Sequence, residues 1–331
     1  MDVKDKKILY ELEKDSMQPF SRTAKKVGLS PQSVEYRFKR FFRKGIIKDY
    51  MLIIAYQHRG YTNYMIYLSL QNVDKAKEDQ IIEWLKKHKN IVIIWRCEGK
   101  WDLVLGLLAK NNIELSEVFS EINNQYSQYI RNYETVTHVG SEFYHMNFLL
   151  NKKEITKQPP KTGGKGKEIK LDKEEEKILC ALIKNPRKTV IEIAEETGTT
   201  TDVVRYRIKK LKKIGVLAGS SIYMDYDKMG YPFYRIIIKL RSITKEKEKE
   251  LFSYANLNPN IFRASKCFGN WEFTIDVCVK NNEELRDVLI NFRNRFNNII
   301  QYYETIHVYS VEKIILYPVE IREKQKALPE V

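Results

Sequence analysis

The sequence predicts an α+β protein made of two copies of one unit, each a winged helix-turn-helix followed by a ferredoxin-like β-α-β-β-α-β domain. The first observation behind this prediction is a repeat, because residues 1–150 and 171–320 align without a gap at an offset of 170 positions. The second is a change from helical spacing to strand-like runs after Gly45 and again after Gly215. Two copies in one chain are expected to pair as an intramolecular pseudo-dimer. The residues that recur in register include Ile8 and Ile178, Ala24 and Ala194, Tyr36-Arg37 and Tyr206-Arg207, Trp101 and Trp271, and Tyr133-Glu134-Thr135 and Tyr303-Glu304-Thr305.

The start of each copy has the spacing of three short helices. In the first copy the third helix has Ser30 as its N-cap and Pro31 at its first helical position. In the second copy Thr199 and Asp202 have the spacing of a capping box. The predicted helices are one around Ile8, Leu9 and Leu12, residues 22–27 and residues 30–44, and then one around Ile178, Leu179 and Leu182, residues 190–197 and residues 200–213.

Small residues at fixed spacing mark the turn between the second and third helices. Ala24 allows close helix packing, Gly28 permits the left-handed backbone of a tight turn, and Val34 closes the small core. This is the pattern of a helix-turn-helix. The same triplet recurs as Ala194, Gly198 and Val204.

The rest of each copy is predicted to alternate strands and helices in the ferredoxin-like order. The second copy repeats this order from Tyr234 to Val308, and a final apolar strand is expected after each copy, at residues 143–150 and 314–319. The first-copy elements are a strand-like connector at 46–56, strands at 64–70, 91–96, 101–109 and 131–138, and helices at 75–88 and 113–126.

The charge and the segment between the copies indicate a basic protein with a tether. The formal net charge is +15, which favours a polyanionic partner, although a lysine-rich solvated surface gives the same figure. Residues 151–170 contain seven lysines, two glutamates, Pro159-Pro160 and Gly163-Gly164, and they predict a flexible basic linker. The predicted domains are two helix-turn-helix domains at residues 1–50 and 171–220, two ferredoxin-like domains at 51–150 and 221–320, the linker at 151–170, and a C-terminal tail at 321–331.

Cysteine usage and the N-terminus give no sign of metal, cofactor or membrane. The four cysteines have no Cys-x-x-Cys spacing and no nearby histidine cluster, so the sequence predicts neither a zinc site nor a disulfide framework. Cys97 and Cys267 occupy equivalent apolar runs and are expected to be small buried hydrophobes. Residues 1–5 lack a signal-peptide core and no apolar run approaches membrane-spanning length. We expect a cytoplasmic, nucleoid-associated protein without a cofactor.

The third helix of each copy carries the candidate DNA-binding residues. Val34, Phe38 and Phe41 fall on one stripe and are assigned to the core, as are Val204, Ile208 and Leu211. The opposite face is basic and fits a major groove, although a solvated helix face has the same appearance. Arg37 and Arg207 lie toward the buried stripe and are expected to pack or contact phosphate, and Asp202 is also a candidate helix cap. The candidates are Ser30, Gln32, Ser33, Tyr36, Arg37, Lys39, Arg40 and Arg43, with Thr200, Thr201, Asp202, Arg205, Tyr206, Arg207, Lys209, Lys210 and Lys213.

These motifs resemble the Lrp/AsnC family of transcriptional regulators, here in tandem-fused form. The family pattern Leu-Ser-x-x-x-Val-x-x-Arg, closed by Gly-hydrophobic-Ile, is similar to residues 29–37 and to Gly45-Ile46-Ile47. The second copy keeps Val204 and Arg207 but has Gly198-Thr199-Thr200 in place of the Leu-Ser pair. The resemblance implies a sequence-specific regulator that binds double-stranded DNA and self-associates through its ferredoxin-like sensing domains.

The resemblance also implies a small effector, such as an amino acid, bound near a Gly-x-x-Asp loop. That loop is similar to Gly99-Lys100-Trp101-Asp102 and Gly269-Asn270-Trp271-Glu272. The candidate effector residues are therefore Gly99, Trp101, Asp102, Gly269, Trp271 and Glu272. A purely structural role for the turn glycines and the tryptophans is the alternative.

Two other functions remain open. One is an architectural DNA-binding protein, for which basic helices and a basic linker are equally suitable. The other is an enzyme, because some relatives of this fold are sirohaem decarboxylases that use histidine and aromatic side chains in the strand region around Trp95 to Trp101. Neither this stretch nor its counterpart at 264–271 contains histidine, and the five histidines of the chain form no catalytic or metal-spaced set, so no enzyme is predicted.

Overall fold

The computed structural model describes residues 1–318 and confirms an α+β architecture in two copies. The first copy consists of α1 (Val3–Lys14), α2 (Phe20–Val27), α3 (Pro31–Arg43), β1 (Ile47–Ile54), β2 (Thr62–Leu70), α4 (Lys75–Lys87), β3 (Ile91–Glu98), β4 (Leu103–Ala109), α5 (Asn112–Tyr126), β5 (Ile130–Phe143) and β6 (Lys161–Gly163). The second consists of α6 (Lys173–Lys184), α7 (Val190–Thr197), α8 (Thr201–Lys213), β7 (Leu217–Met224), β8 (Phe233–Leu240), α9 (Lys245–Leu257), β9 (Ile261–Phe268), β10 (Phe273–Cys278), α10 (Asn282–Phe296) and β11 (Ile300–Ile314).

The two ferredoxin-like domains join edge to edge through their strands. The larger sheet has the order β2-β4-β3-β11-β8-β10-β9-β5-β6, and a further pairing of β2 with β5 closes eight of these strands into a ring. Pairings of β11 with β3 and of β9 with β5 connect the two copies. The predicted intramolecular pseudo-dimer is therefore confirmed.

The contacts between the copies obey a two-fold relation. Ile47 faces Met224 and Ile54 faces Leu217 in the β1–β7 pair, and the offset of the repeat exchanges these two pairings. The same holds where His307 faces Glu98 and Thr137 faces Phe268. Each interface is thus isologous, as in a symmetric homodimer.

Apolar layers hold the ring together. The outer face of the first domain packs against α4 and α5 through residues such as Ile82 and Ile122, and α9 and α10 cover the second domain in the same way. Residues inside the ring, including Tyr67, Trp95 and Trp271, belong to a core that also contains the first helix-turn-helix. The helix-turn-helix and the ferredoxin-like domain of the first copy therefore share one core.

The two predicted final strands are wrong. β5 already extends to Phe143 and β11 to Ile314, after which the chain leaves the sheet. Asn147–Leu149 forms a turn of 3-10 helix, and residues 315–318 are not a strand. The apolar character of the first run reflects packing, because Phe148 and Leu149 are buried and this turn contacts α1. Val319 and the predicted tail lie outside the described residues.

Residues 151–170 are not the free tether that their composition predicts. Within this segment β6 pairs with β5, and Thr156 is buried and exchanges hydrogen bonds with Asn256. Glu154 accepts a hydrogen bond from Tyr10 of α1 at 2.9 Å. Backbone and side-chain partners from both copies therefore fix this segment.

Candidate nucleic-acid interface

Each third helix begins at a side-chain cap that follows a left-handed glycine. Gly28 and Gly198 have φ values of 67° and 71° and end the second helix of each copy. The Ser30 hydroxyl accepts a hydrogen bond from the Ser33 N–H at 3.2 Å, as expected for the predicted cap. In the second copy the cap is Thr200 and not Thr199, whose hydroxyl instead donates to Glu174 at 2.8 Å. Thr199 is already committed to the first helix of its domain.

The apolar stripe of each third helix faces inward. Val34, Phe38 and Phe41 are buried, which confirms their assignment to the core. Val204 and Leu211 are buried in the second copy, while Ile208 is half-buried and packs against the same core. Burial of this stripe leaves the opposite face of α3 and of α8 free.

The free faces of α3 and α8 present equivalent residues to solvent. Tyr36 is 62% exposed and Tyr206 is 64% exposed, although tyrosine is ordinarily a partly buried side chain. Each copy therefore projects a tyrosine ring from the same position, where it is free to contact a bound molecule. The other exposed candidates are Ser30, Gln32, Arg43, Thr200, Asp202, Arg205, Lys209 and Lys213, and Ser33, Lys39 and Thr201 are half-buried.

Arg37 and Arg40 of the first copy bind carboxylates of their own domain. Arg37 donates to Asp2 at 2.6 Å and to Asp5 at 2.7 Å, and Arg40 donates to Asp5 at 2.6 Å. The hydrogen bond from Arg37 is the main reason that the pKa of Asp2 is lowered. These ion pairs fix α3 against the start of α1, so both arginines orient the helix.

The second copy repeats this arrangement with a larger acidic set. Arg207 pairs with Asp172 at 2.7 Å and with Glu175 at 2.9 Å, and Lys210 pairs with Glu175 at 2.5 Å. Glu175 is also the third residue of the capping box of α6. Arg205 and Asp202 form only an exposed pair along one helix. Local sequence patterns do not indicate these pairs, because Arg207 and Lys210 both lie more than 30 positions after Glu175.

The second helix of each motif carries opposite charge in the two copies. Arg22, Lys25 and Lys26 of α2 are exposed, and the equivalent positions of α7 are the exposed Glu192, Glu195 and Glu196. In a helix-turn-helix this helix crosses the DNA backbone. The first copy is therefore the more attractive to phosphate, a difference that was readable from the sequence by comparing the copies position by position.

The two helix-turn-helix domains are fixed to each other. β1 and β7 form a two-stranded antiparallel sheet between them. The Arg187 guanidinium donates to the carbonyl oxygens of Ser16 at 2.8 Å and Gln18 at 3.2 Å and lies 4.0 Å from the centre of the Phe20 ring. The separation of α3 and α8 is consequently a property of the fold.

The acidic residues of the two candidate effector loops have partners in their own sheets. Asp102 accepts a hydrogen bond from the Leu70 N–H at 2.6 Å. Glu272 accepts one from the Leu240 N–H at 2.7 Å and pairs with Lys239 at 2.9 Å. Each carboxylate thus ties its loop to the end of the neighbouring strand.

The tryptophans of these loops meet inside the ring. Trp101 and Trp271 are buried, and their rings lie 5.9 Å and 4.9 Å from the centre of the Tyr67 ring. Gly99 and Gly269 have positive φ values of 120° and 150° at the turns before them. The structure thus brings the two tryptophans together as packing residues around Tyr67. The two glycines serve as turn residues.

Three of the four cysteines are buried, and all four are free thiols. Cys97 and Cys267 are buried, as predicted, and Cys278 is buried as well. Burial raises the pKa of Cys267 to about 12. Within residues 1–318 no group of three or more His, Cys, Asp or Glu side chains has a metal-holding arrangement. In the same range no helix combines the length and apolar character needed to cross a bilayer.

Family models match both helix-turn-helix segments of the chain. Residues 1–41 match the AsnC-type helix-turn-helix domain, and residues 171–218 match a winged helix-turn-helix DNA-binding model. The HTH-type transcriptional regulator LrpA of Pyrococcus horikoshii is 30% identical over 122 residues, which are 36% of this chain and 84% of that protein. The HTH-type transcriptional regulator FL11 of Pyrococcus furiosus is 27% identical over 124 residues, 38% of this chain and 81% of that protein.

A solved structure matches the tandem arrangement along its whole length. The crystal structure of the siroheme decarboxylase NirDL has a TM-score of 0.58 with this chain, at 15% sequence identity, covering 98% of this chain and 96% of that one. At that identity the likeness concerns the fold alone.

Proposed function

The chain belongs to the Lrp/AsnC family of transcriptional regulators, and from this premise we propose that it binds a single, approximately palindromic DNA operator with α3 and α8 together. The observation that carries the proposal is the β1–β7 pair, which holds two exposed third helices in a two-fold arrangement within one chain. Dimeric helix-turn-helix proteins read two half-sites in this way. One chain would then take the place of a dimer.

The exposed residues of α3 and α8 are the proposed readers. Gln32 and Tyr36, with Tyr206 in the second copy, would reach base edges, because the N-terminal part of a recognition helix enters the major groove. Lys39, Arg43, Lys209 and Lys213 would contact phosphate or bases further along the helix. Because Gln32 and Arg43 correspond to Asp202 and Lys213, the two half-sites should be related but not identical.

We propose two paired substitutions as the test. Tyr36→Ala with Lys39→Ala, and Tyr206→Ala with Lys209→Ala, should each weaken operator binding by roughly tenfold or more, because two joined readers act at high effective concentration. These positions spare Arg37, Arg40 and Arg207, whose ion pairs fix each third helix against the first helix of its own domain. Lys245→Ala with Lys249→Ala on α9 removes two exposed lysines away from the helix-turn-helix and should leave binding unchanged.

The operator is first selected from random DNA, and binding is then measured across salt concentrations. An architectural protein would yield no motif and would bind operator and random DNA alike, with a salt dependence that reflects phosphate contacts only. Recovery of a motif together with a loss of roughly tenfold or more from each paired substitution supports the proposal. Wild-type binding by either paired variant contradicts it.

A small effector that alters DNA affinity is the remaining part of the proposal. The observation in its favour is that the first helix-turn-helix and the inner face of the ring share one core, so a ligand that shifts this core would move α3. An amino acid is the class that the family resemblance implies. The decarboxylase likeness, being of fold only, does not extend to an enzymatic activity.

A further inference from the structure

A cavity of about 160 Å³ lies between the first helix-turn-helix and the strands of the second copy. Its walls come from both copies, and Gln158 and Pro160 of the segment between them also contribute to its lining. An engineered apolar cavity of roughly 150 Å³ admits a benzene molecule. This cavity therefore has room for one small molecule with a body about as large as a phenyl ring.

Four aromatic rings form a continuous part of the cavity wall. The centre of the Phe233 ring lies 5.3 Å from that of Trp95 and 5.2 Å from that of Phe262. The Tyr226 ring lies 5.8 Å from Phe233 and 5.7 Å from Phe262. All four side chains are buried and line the cavity, so they offer an apolar surface to the body of a ligand.

A guanidinium group with unused N–H groups lies at the same wall. Arg263 is 6% exposed, and its guanidinium carbon lies 5.1 Å from the centre of the Trp95 ring. Within residues 1–318 only its Nε donates a hydrogen bond, to Asp276. The N–H groups of its two terminal nitrogens therefore have no acceptor among these residues, and such a fork matches the two oxygens of a carboxylate.

The buried ionic groups around Arg263 leave one positive charge uncompensated. Asp276 pairs with Arg263 and also with Arg235, which donates to both of its oxygens at 2.7 Å and 2.9 Å. One carboxylate thus serves two guanidinium groups, and all three side chains are buried. An unmatched buried charge is costly, and a bound anion with one negative charge would remove this cost.

The other ionisable groups that line the cavity do not supply this negative charge. Burial raises the pKa of Glu13 to about 8, so its carboxyl group is mostly neutral at pH 7. Burial lowers the pKa of His145 to about 4, so its ring is neutral as well. Lys14 already pairs with Glu154 at 2.9 Å. At neutral pH the lining residues therefore include an unmatched cation and no anion.

Two neutral donors lie beside Arg263. The indole N–H of Trp95 is buried and makes no hydrogen bond within the described part of the chain. Burial raises the pKa of Tyr226 and the neighbouring Arg263 opposes this shift, so the hydroxyl of Tyr226 lies within electrostatic reach of the guanidinium. An anion paired with Arg263 would have hydrogen-bond donors near it on more than one side.

The equivalent place in the other copy lacks the charge and most of the aromatic wall. The residues in place of Trp95, Phe233, Phe262 and Arg263 are, in that order, Ser265, Asn63, Val92 and Ile93. The two-fold relation of the fold is broken at this cavity. A ligand that needs both the guanidinium and the aromatic wall therefore has one site per chain.

We propose that this cavity binds one small monocarboxylate with an apolar or aromatic body, whose carboxylate pairs with the fork of Arg263 and whose body lies against Trp95 and Phe233. The ligand chemistry follows from one unmatched buried cation beside an aromatic wall. It differs from the amino-acid effector considered above, because no lining residue offers an anion to an ammonium group at neutral pH. The binding does not depend on the proposed DNA-binding function.

The test is calorimetric titration of the full chain with butyrate and with benzoate, near pH 7, at constant ionic strength and without DNA. Benzamide keeps the shape of benzoate and lacks its charge. Sodium chloride supplies an anion without an apolar body. Aminobutyrate with its amino group on the α-carbon adds an ammonium group to butyrate. These three compounds separate the contributions of charge, apolar body and ammonium group.

Two substitutions and one control locate the site. Arg263→Ile installs the residue of the first copy and leaves Asp276 paired with Arg235, so this variant should fold. Tyr226→Phe removes one hydroxyl group and keeps the aromatic ring. Arg286→Ile makes the same change as the first variant at an exposed position of α10. Thermal unfolding without ligand checks that each variant is folded, and with ligand it measures the stabilisation that binding gives.

We expect one carboxylate per chain, with affinity weakened roughly 10- to 100-fold in Arg263→Ile and roughly tenfold in Tyr226→Phe, because each loses a hydrogen bond to a charged group. Arg286→Ile should bind like wild type. The proposal is overturned if neither carboxylate binds, or if benzamide, chloride or the aminobutyrate binds as tightly as the carboxylates. It is also overturned if folded Arg263→Ile keeps the wild-type affinity. A chain that binds these carboxylates and selects no operator would retain the site and contradict only the DNA-binding function.

Discussion

The two copies share a backbone plan and differ in charge at the helix that precedes each recognition helix. Arg22 and Lys25 on α2 correspond to Glu192 and Glu195 on α7, all of them exposed. The third helices, by contrast, project Tyr36 and Tyr206 almost equally. Both copies therefore expose the same face of the third helix, while the exposed basic residues of the second helix are present only in the first copy.

The interiors of the two ferredoxin-like domains also differ in charge, because only the second copy contains a buried ionic cluster. Arg235, Asp276 and Arg263 form a buried ionic cluster in the second copy, with Arg235 donating to Asp276 at 2.7 Å and 2.9 Å. The equivalent residues of the first copy are Met65, Gly106 and Ile93. A Cβ atom on Gly106 would lie 2.8 Å from Ile93 Cβ, so isoleucine fills the space of the missing side chain. The first copy thus forms the same strands with apolar residues and a glycine in place of the three charged side chains.

The largest expected effect comes from breaking the ionic cluster. Asp276→Ala leaves two buried arginines without a carboxylate and should lower the free energy of unfolding by about 3–5 kcal/mol, measured by urea denaturation. Replacing the cluster as a set, with Arg235→Met, Asp276→Gly and Arg263→Ile, should cost much less because it reproduces the first copy. A set replacement that costs as much as Asp276→Ala would contradict this account.

The charge difference between α2 and α7 predicts unequal phosphate contacts. Arg22→Glu with Lys25→Glu should weaken DNA binding by roughly 100-fold and reduce the slope of log affinity against log salt by up to about two. The reciprocal Glu195→Lys should strengthen binding and steepen the slope. Lys26 and Glu192 are left unchanged, because Lys26 pairs with Glu11 and Glu192 belongs to the capping box of α7. Equal slopes in all three proteins would mean that neither helix meets the DNA backbone.

Glu13 of the first copy should make the stability of the protein depend on pH, whereas Ile183 at the equivalent position of the second copy cannot. Burial raises the pKa of Glu13 from 4.5 to about 8, so the folded state binds a proton more tightly than the unfolded state. The stabilisation that this proton gives to the folded state is complete below pH 4.5 and is lost as the pH rises through 8. Wild type should lose stability relative to Glu13→Gln over this range, by at most about 1.4 kcal/mol per pH unit. Urea unfolding at several pH values gives the difference, and parallel curves would contradict it.

The smallest expected effect concerns the caps of the recognition helices. Ser30→Ala and Thr200→Ala should each cost about 1 kcal/mol, because each hydroxyl accepts a hydrogen bond from the first turn. Thr199→Ala should cost less, since its hydroxyl bonds to Glu174 and not to the helix. Thermal unfolding of the three variants ranks them, and a larger loss from Thr199→Ala would reverse the assignment of the cap.

Local signals in the sequence were sufficient for the elements of the fold. The boundaries of α3 follow from Ser30 and Pro31, and α7 follows from its apolar spacing, because a helix cap and a helical period involve only residues a few positions apart. The repeat predicted the pairing of the copies, since matching edges form a symmetric interface. Local signals failed where an apolar or polar stretch has distant partners. Phe148 packs against the ring of Tyr231, and Thr156 bonds to Asn256.

The sequence by itself determined the duplicated architecture, the two recognition helices and the identity of their exposed faces. Only the tertiary structure decided which of their basic residues are free, because Arg37 and Arg207 meet their carboxylates more than 30 positions away. The cavity lined by Glu13 of α1 and Arg263 of β9 was likewise not predictable from the sequence. Glu13 and Arg263 come from different copies, and what brings them to one space is the register of strands paired across the whole chain, which no local pattern encodes.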